Sequence, residues 1–172
     1  MTGLLSSTAA LKKLPILFVC ENNFYSCYSP LSVRQAPGRS RPDIVRAHGM
    51  LALEGYGNDV DEVYRVTQKA VDYIREGNGP CFVEFDTYRY HEHCGPNIDD
   101  DAGYRPKEEI EYWHQRCPVR LYEERLIKEA VLNPEIIDGM KKELHREIDE
   151  AFAFAEKSPF PTYTLNSESA YA

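Results

Sequence analysis

The chain has 172 residues, of which 42% are hydrophobic and 28% charged, with a formal net charge of -8. That composition fits a globular protein of one domain, long enough to bury a core. The acidic balance leaves no basic excess to neutralise phosphates, which argues against nucleic acid or an anionic membrane as a partner.

No run of residues approaches the length of a membrane span, and residues 1–13 lack a signal-peptide layout. The expected location is cytoplasmic. The cysteines are Cys20, Cys27, Cys81, Cys94 and Cys117. Their number is odd and no pair has C-x-x-C spacing, so reduced, mostly buried thiols are expected.

In chain order, the first informative stretch is residues 14–25, LPILFVCENNFY. A short apolar run, Ile16–Cys20, lies between Pro15 and Glu21-Asn22-Asn23. It predicts a buried strand, of the kind found in parallel sheets. Ligands in such sheets sit outside the carboxyl ends of the strands, where Asn22, Asn23 and Tyr25 would stand. Without any function, the same residues read as a strand and an Asn-rich turn, since Asn bonds its own backbone. Residues 26–43 carry Pro30, Pro37, Gly38 and Pro42 and read as a long loop. Residues 43–50, DIVRAHGM, read as a short strand ended by Gly49.

Residues 58–76 predict a helix. Asp59 and Glu62 resemble a capping box, and Val63, Val66, Ala70 and Ile74 share a face. Gly77-Asn78-Gly79-Pro80 ends it. Residues 81–88, CFVEFDTY, then form a strand. Strand, helix, strand implies a right-handed crossover in a mainly parallel sheet. Residues 89–105 form a polar loop in which Asp99-Asp100-Asp101 reads as a solvated charge run. Helices then start at Pro106 and Pro118, the second carrying Leu121, Leu126 and Val131, and a long one follows the Asn133-Pro134 cap. Ile137, Met140, Leu144, Ile148, Phe152 and Ala155 form a stripe on the last helix. Pro159 and Pro161 end it, and residues 162–172 are an extended tail. The expected architecture is α/β, a mostly parallel sheet flanked by helices with a helical C-terminal segment, in one domain over residues 1–172.

Two segments carry candidate chemistry. One is LP-x-x-F-x-C-E-N-N-x-Y at residues 14–25; the other is TYRYHEH at residues 87–93. Read alone, His91 and His93 are exposed loop histidines, or half of an H-x-H site in a metal-dependent hydrolase. Cys94 beside His93 makes a poor nucleophile–base pair, because adjacent side chains on an extended chain point apart.

Together the two segments resemble the alpha subunit of the thiamine-diphosphate-dependent first component of 2-oxo acid dehydrogenases. That family includes the pyruvate, branched-chain and acetoin enzymes. The resemblance implies an incomplete thiamine-diphosphate-binding fold. It implies Mg²⁺ held by the Asn23 side chain and the Tyr25 main-chain carbonyl, both at the cofactor. It makes His93 the histidine that reaches thiamine diphosphate and acts in catalysis. The family's Gly-Asp-Gly, whose Asp is a metal ligand, does not precede Leu14. Ser7, Thr8, Ala9, Ala10 and Leu11–Pro15 fit the family helix just before the strand, with Ser7 where Asn is usual. The chain is therefore expected to carry the C-terminal part of such a subunit and to lack the N-terminal part.

Cys94 stands where mitochondrial members carry a regulatory serine, and residues 96–101 look like excess loop. The implied partners are a beta subunit and a lipoyl-bearing acyltransferase. A catalytically silent remnant that keeps only an interaction surface is the alternative. A subunit cut between its halves should also expose apolar surface, first at Ile16–Cys20.

Overall fold

The computed structural model describes residues 3–161. Residues 162–172, where the extended tail is expected, lie outside them. The chain falls into two compact units, residues 1–124 and 125–172.

The first unit opens with helix α1 (Gly3–Leu11), which leads into strand β1 (Leu17–Asn22). A two-residue hairpin follows, β2 (Tyr25–Ser26) against β3 (Ser29–Pro30). Next come helix α2 (Arg41–Ala47), β4 (Leu51–Tyr56), α3 (Val60–Arg75) and β5 (Cys81–Asp86). The sheet has the order β1-β5-β4, and both pairings are parallel. This is the expected α/β architecture. Helices α4 (Lys107–His114) and α5 (Pro118–Lys128) follow, and α5 crosses into the second unit. Helix α6 (Pro134–Lys157) belongs to the second unit.

The central strand β5 is buried on both faces, and its side chains alternate with period two. Phe82 joins Val45, Met50 and Ala52 on the α2 side. Cys81, Val83 and Phe85 join Ala70 on the α3 side, where Val63, Val66 and Ile74 pack against them. The face of α3 expected from its spacing is the one that packs. Strand β1 lies at the edge, and Val19 is 55% exposed.

Three local readings are corrected. The segment 43–50 is not a strand: α2 runs Arg41–Ala47, and the strand begins at Leu51. The Ser40 hydroxyl accepts the Asp43 N–H at 3.1 Å, and Pro42 sits in the first turn, a strong helix start. Gly49, with φ of +79°, ends a helix there. Second, Pro106 is the N-cap of α4, so the helix starts at Lys107, one residue later than expected, and Val131 lies beyond the end of α5. Third, the thiols are not mostly buried. All five are free; Cys81 is buried, Cys20 and Cys117 are half-buried, and Cys27 and Cys94 are exposed.

The capping box on α3 is one-sided. Asp59 Oδ1 accepts the N–H groups of Asp61 and Glu62 at 3.0 and 3.1 Å. Glu62 does not reach back to Asp59; it accepts the Tyr56 N–H at 3.2 Å and so ties the helix to the end of β4. Asp59→Ala should therefore cost about 1 kcal/mol of stability. Urea denaturation checks this, and a loss under a few tenths of a kcal/mol would count against the cap.

Candidate active site at the carboxyl edge of the sheet

The sheet ends flush. The register sets Asn22 beside Asp86 and Asp86 beside Tyr56, so all three strands stop at one level. Asn22 Nδ2 donates to Asp86 Oδ1 at 2.7 Å. Gly57 donates its N–H to the Asp86 carbonyl at 2.7 Å, and a Cβ there would lie 2.9 Å from that oxygen. Only glycine allows the chain to leave β4 so close to β5. A cleft of about 530 Å³ opens at this edge, lined in part by Asn22, Phe24, Arg41, Glu84 and Asp86. Arg41 grips Glu84 with two hydrogen bonds, at 2.9 and 2.5 Å.

The chain leaves β1 through two successive Asn turns. Asn22 Oδ1 accepts the Phe24 N–H at 3.2 Å, and Asn23 Oδ1 accepts the Tyr25 N–H at 3.0 Å. The turns hold Phe24 in the left-handed region at φ of +62°, a conformation that non-glycine residues adopt at a cost. The Asn-rich turn read from sequence is thus present.

The segment after β5 packs against that turn. Arg105 is only 5% exposed. Its guanidinium lies 4.3, 4.8 and 5.2 Å from the ring centres of Tyr88, Tyr104 and Tyr25. Asp99 Oδ2 accepts from Arg89 at 3.1 Å and from the Tyr104 hydroxyl at 2.8 Å, and Oδ1 lies 3.5 Å from Arg105. Arg89 also donates to the carbonyls of Cys27 and His91. Tyr25 and Tyr28 each meet Tyr104 edge-on.

The phenols here are donors. Burial, then the hydrogen bond to the Glu109 carboxylate 2.8 Å away, pushes Tyr25 up to about 12. Burial raises Tyr88 as well, and its hydroxyl donates to Asp100 at 3.0 Å. Burial and the bond to Asp99 raise Tyr104.

This network corrects the reading of Asp99–Asp101 as a solvated run. Asp99 is buried between two arginines. Asp100 pairs with His114 at 2.9 Å and with Tyr88, and only Asp101 faces solvent freely. Asp99 and Asp100 thus anchor this loop. In the sequence Arg89 and Arg105 flank the acidic run, each next to tyrosines, but nothing local says that they fold back onto it.

His93 sits at an exposed tip. The Glu92 N–H donates to the Asn97 carbonyl at 2.8 Å, and Asn97 Nδ2 donates to Glu92 Oε1 at 2.8 Å. His91 Nδ1 lies 2.9 Å from the Pro96 carbonyl, a contact that needs the proton on Nδ1. The Tyr88 ring meets Tyr90, Trp113 and His114. His93 makes no hydrogen bond or ion pair among the described residues. The structure thus joins the 22–28 turn to the 88–105 loop through Tyr25, Tyr28 and Cys27. It does not bring His93 into contact with Asn23 or Tyr25.

The Asn23 side-chain oxygen and the Tyr25 carbonyl are hard oxygen donors of the kind Mg²⁺ takes. They fit the ion in kind but are two and neutral. Among the described residues no group of three His, Cys, Asp or Glu is gathered for a metal.

A parallel α/β sheet with polar turns at its carboxyl edge is a ligand-binding architecture of enzymes. The chain belongs to the dehydrogenase E1 component family, whose model matches residues 6–164. It is 34% identical over 152 residues to the 2-oxoisovalerate dehydrogenase subunit alpha of Bacillus subtilis, covering 88% of this chain and 45% of that protein. It is 34% identical over 155 residues to the testis-specific, mitochondrial pyruvate dehydrogenase E1 component subunit alpha of Homo sapiens, covering 89% and 38%. It is 29% identical over 156 residues to the pyruvate dehydrogenase E1 component subunit alpha of Rickettsia conorii, covering 89% and 46%. The chain thus spans less than half the length of these relatives. Among the described residues no helix is long and apolar enough to cross a membrane.

Proposed function

We propose that the chain is the C-terminal part of an alpha subunit of a thiamine-diphosphate-dependent, cytoplasmic oxidoreductase. The reaction class is oxidative decarboxylation of a 2-oxo acid, or cleavage of acetoin, with a lipoyl or other disulfide acceptor. The observation that carries this reading is the packing of the two motif segments on each other at the carboxyl edge of the sheet. Partners in this reading are a beta subunit of the same enzyme and a lipoyl-bearing acyltransferase.

Bound thiamine diphosphate would supply the carbanion that attacks a carbonyl and the ring that stabilises the adduct. This chain's residues would position and shield it. Asn23 Oδ1 and the Tyr25 carbonyl would hold Mg²⁺, an ion that takes hard oxygen donors. The strained Phe24 turn fixes the direction of both donors. Arg105 stacks on Tyr25 and Tyr104 and so fixes the turn from the side of the loop. His93, free of internal partners, would donate a hydrogen bond or a proton at the tip of that loop.

The chain alone should not bind Mg²⁺–thiamine diphosphate measurably, because two neutral oxygens compensate a divalent ion poorly. Calorimetry checks this: saturable micromolar binding that needs both metal and cofactor would refute it. The functional reading itself is tested by supplying the N-terminal part of such a subunit and a beta subunit in trans. Decarboxylation of a 2-oxo acid or cleavage of acetoin, dependent on this chain, is the expected result. A complex that assembles and binds cofactor yet turns over neither class would overturn it.

A further inference from the structure

Helix α4 grips the strained turn after β1 in two places. The Tyr25 hydroxyl donates to Glu109 Oε2 at 2.8 Å. The Phe24 ring lies 6.2 Å from the Trp113 ring, centre to centre. Glu109 and Trp113 are four residues apart and so share a face of α4. They engage consecutive residues of the turn, and Phe24 is the one held at φ of +62°. A left-handed Phe persists only where its surroundings over-determine it.

The two contacts differ in kind. Trp113 is buried and stacks on Tyr56 and Tyr88, so it belongs to the packed end of the sheet. Glu109 is half-buried, and a cleft of about 400 Å³ lies between the helix and the hairpin, lined in part by Phe24, Tyr25, Leu31, Glu109 and Trp113. Among the described residues the Tyr25–Glu109 bond is the one hydrogen bond across it. A hydroxyl bonded to a carboxylate is a strong pair.

The hairpin turns one group outward. Tyr25 faces Pro30, which has no N–H to give, and the Leu31 N–H goes to the Phe24 carbonyl at 2.9 Å. Tyr25 therefore stands at a pair that exchanges no hydrogen bonds, and its carbonyl points out of the hairpin. The direction of that carbonyl follows the rotation of the backbone at Phe24 and Tyr25, the two residues that α4 holds.

We propose that Glu109 is a positioning residue. Through the Tyr25 hydroxyl it keeps the turn in the conformation that aims the Tyr25 carbonyl and the Asn23 side chain, while Trp113 holds the Phe24 side. The consequence for Mg²⁺ rests on the functional reading above; the hold on the turn does not.

Hydrogen exchange on the full chain tests the hold. Glu109→Ala should speed exchange across residues 24–31 roughly tenfold, the scale of one hydrogen bond to a charged group, while β5 keeps its protection. Tyr25→Phe keeps the ring and should do the same. The two together should do no more than either alone, because both remove one bond. Glu109→Gln retains an acceptor and should restore most of the protection. Glu108→Ala, at an exposed neighbouring position, should change nothing. Unchanged exchange at residues 24–31 in Glu109→Ala and Tyr25→Phe, additive losses, or no rescue by Glu109→Gln would each overturn the proposal.

A second readout uses the complex reconstituted with the N-terminal part and a beta subunit. There Glu109→Ala should raise the dissociation constant of Mg²⁺–thiamine diphosphate roughly tenfold. The KM for the 2-oxo acid should stay the same, and Glu109→Gln should recover the affinity. Wild-type affinity in Glu109→Ala would overturn the positioning role. A wild-type complex that binds no cofactor would instead count against the functional reading and leave the exchange result standing.

Discussion

Asp99→Ala should be the most damaging single change in the 88–105 loop. It leaves Arg89 and Arg105 facing each other with their shared carboxylate gone, and the Asp99 side chain is 7% exposed, with that of Arg105 1%. Removing one partner of a buried ion pair costs roughly 3–5 kcal/mol, because the remaining charge is left without compensation. The loss should fall on the loop first. Hydrogen exchange should show residues 88–105 losing protection while β5 keeps it. The conservative Asp99→Asn retains an acceptor for Tyr104 and should cost less. Equal protection of the loop in wild type and Asp99→Ala would show that Asp99 does not hold it. Arg105→Met makes a useful contrast: it keeps apolar volume among Tyr25, Tyr88 and Tyr104 and should be milder than Asp99→Ala.

The second large effect concerns the choice between two histidines. In a complex reconstituted with the N-terminal part and a beta subunit, His93→Ala should lower kcat roughly 10²–10³-fold, the scale of one positioned acid–base or electrostatic group. His91→Ala should cost much less. Its Nδ1 is engaged with the Pro96 carbonyl inside the turn, whereas His93 is exposed and free of internal bonds. Steady-state kinetics of the two variants decide the matter. Equal losses, or a larger one at His91, would sink the assignment.

Much of the architecture was legible because the relevant signals are local. The run Ile16–Cys20 and the alternation Phe82/Val83/Phe85 carry the strand pattern, and the α3 stripe carries the helical one. The Asn133-Pro134 start of α6 is equally plain. The segment at 43–50 was misread because Ile44-Val45 mimics a strand, while the decisive signals, Ser40 and Pro42, lie just before it. β4 went unseen for a related reason: Ala52, Glu54 and Gly55 are poor strand formers, and the strand exists because β5 pairs with it. At the site, Asn23, Tyr25 and His93 could be singled out by type and spacing. The buried Asp99–Arg89–Arg105 network could not, because charge in a loop is usually solvated. Its burial is decided by tyrosines brought in from residues 25, 88 and 104.

The loop after β5 has both feet fixed: Arg89 at its start and Arg105 at its end meet on Asp99. The arch between residues 92 and 97 is closed separately, by Glu92 and Asn97. Lengthening a loop whose ends are already held costs little, about 0.6 kcal/mol per doubling. The tip is thus an exchangeable cassette. Residues around His93 and Cys94 can be swapped, tagged or resized without disturbing the anchorage, provided Arg89, Asp99 and Arg105 stay. Grafted tips of different length at this one place would let the reach of the histidine be tuned while the sheet edge beneath it stays the same.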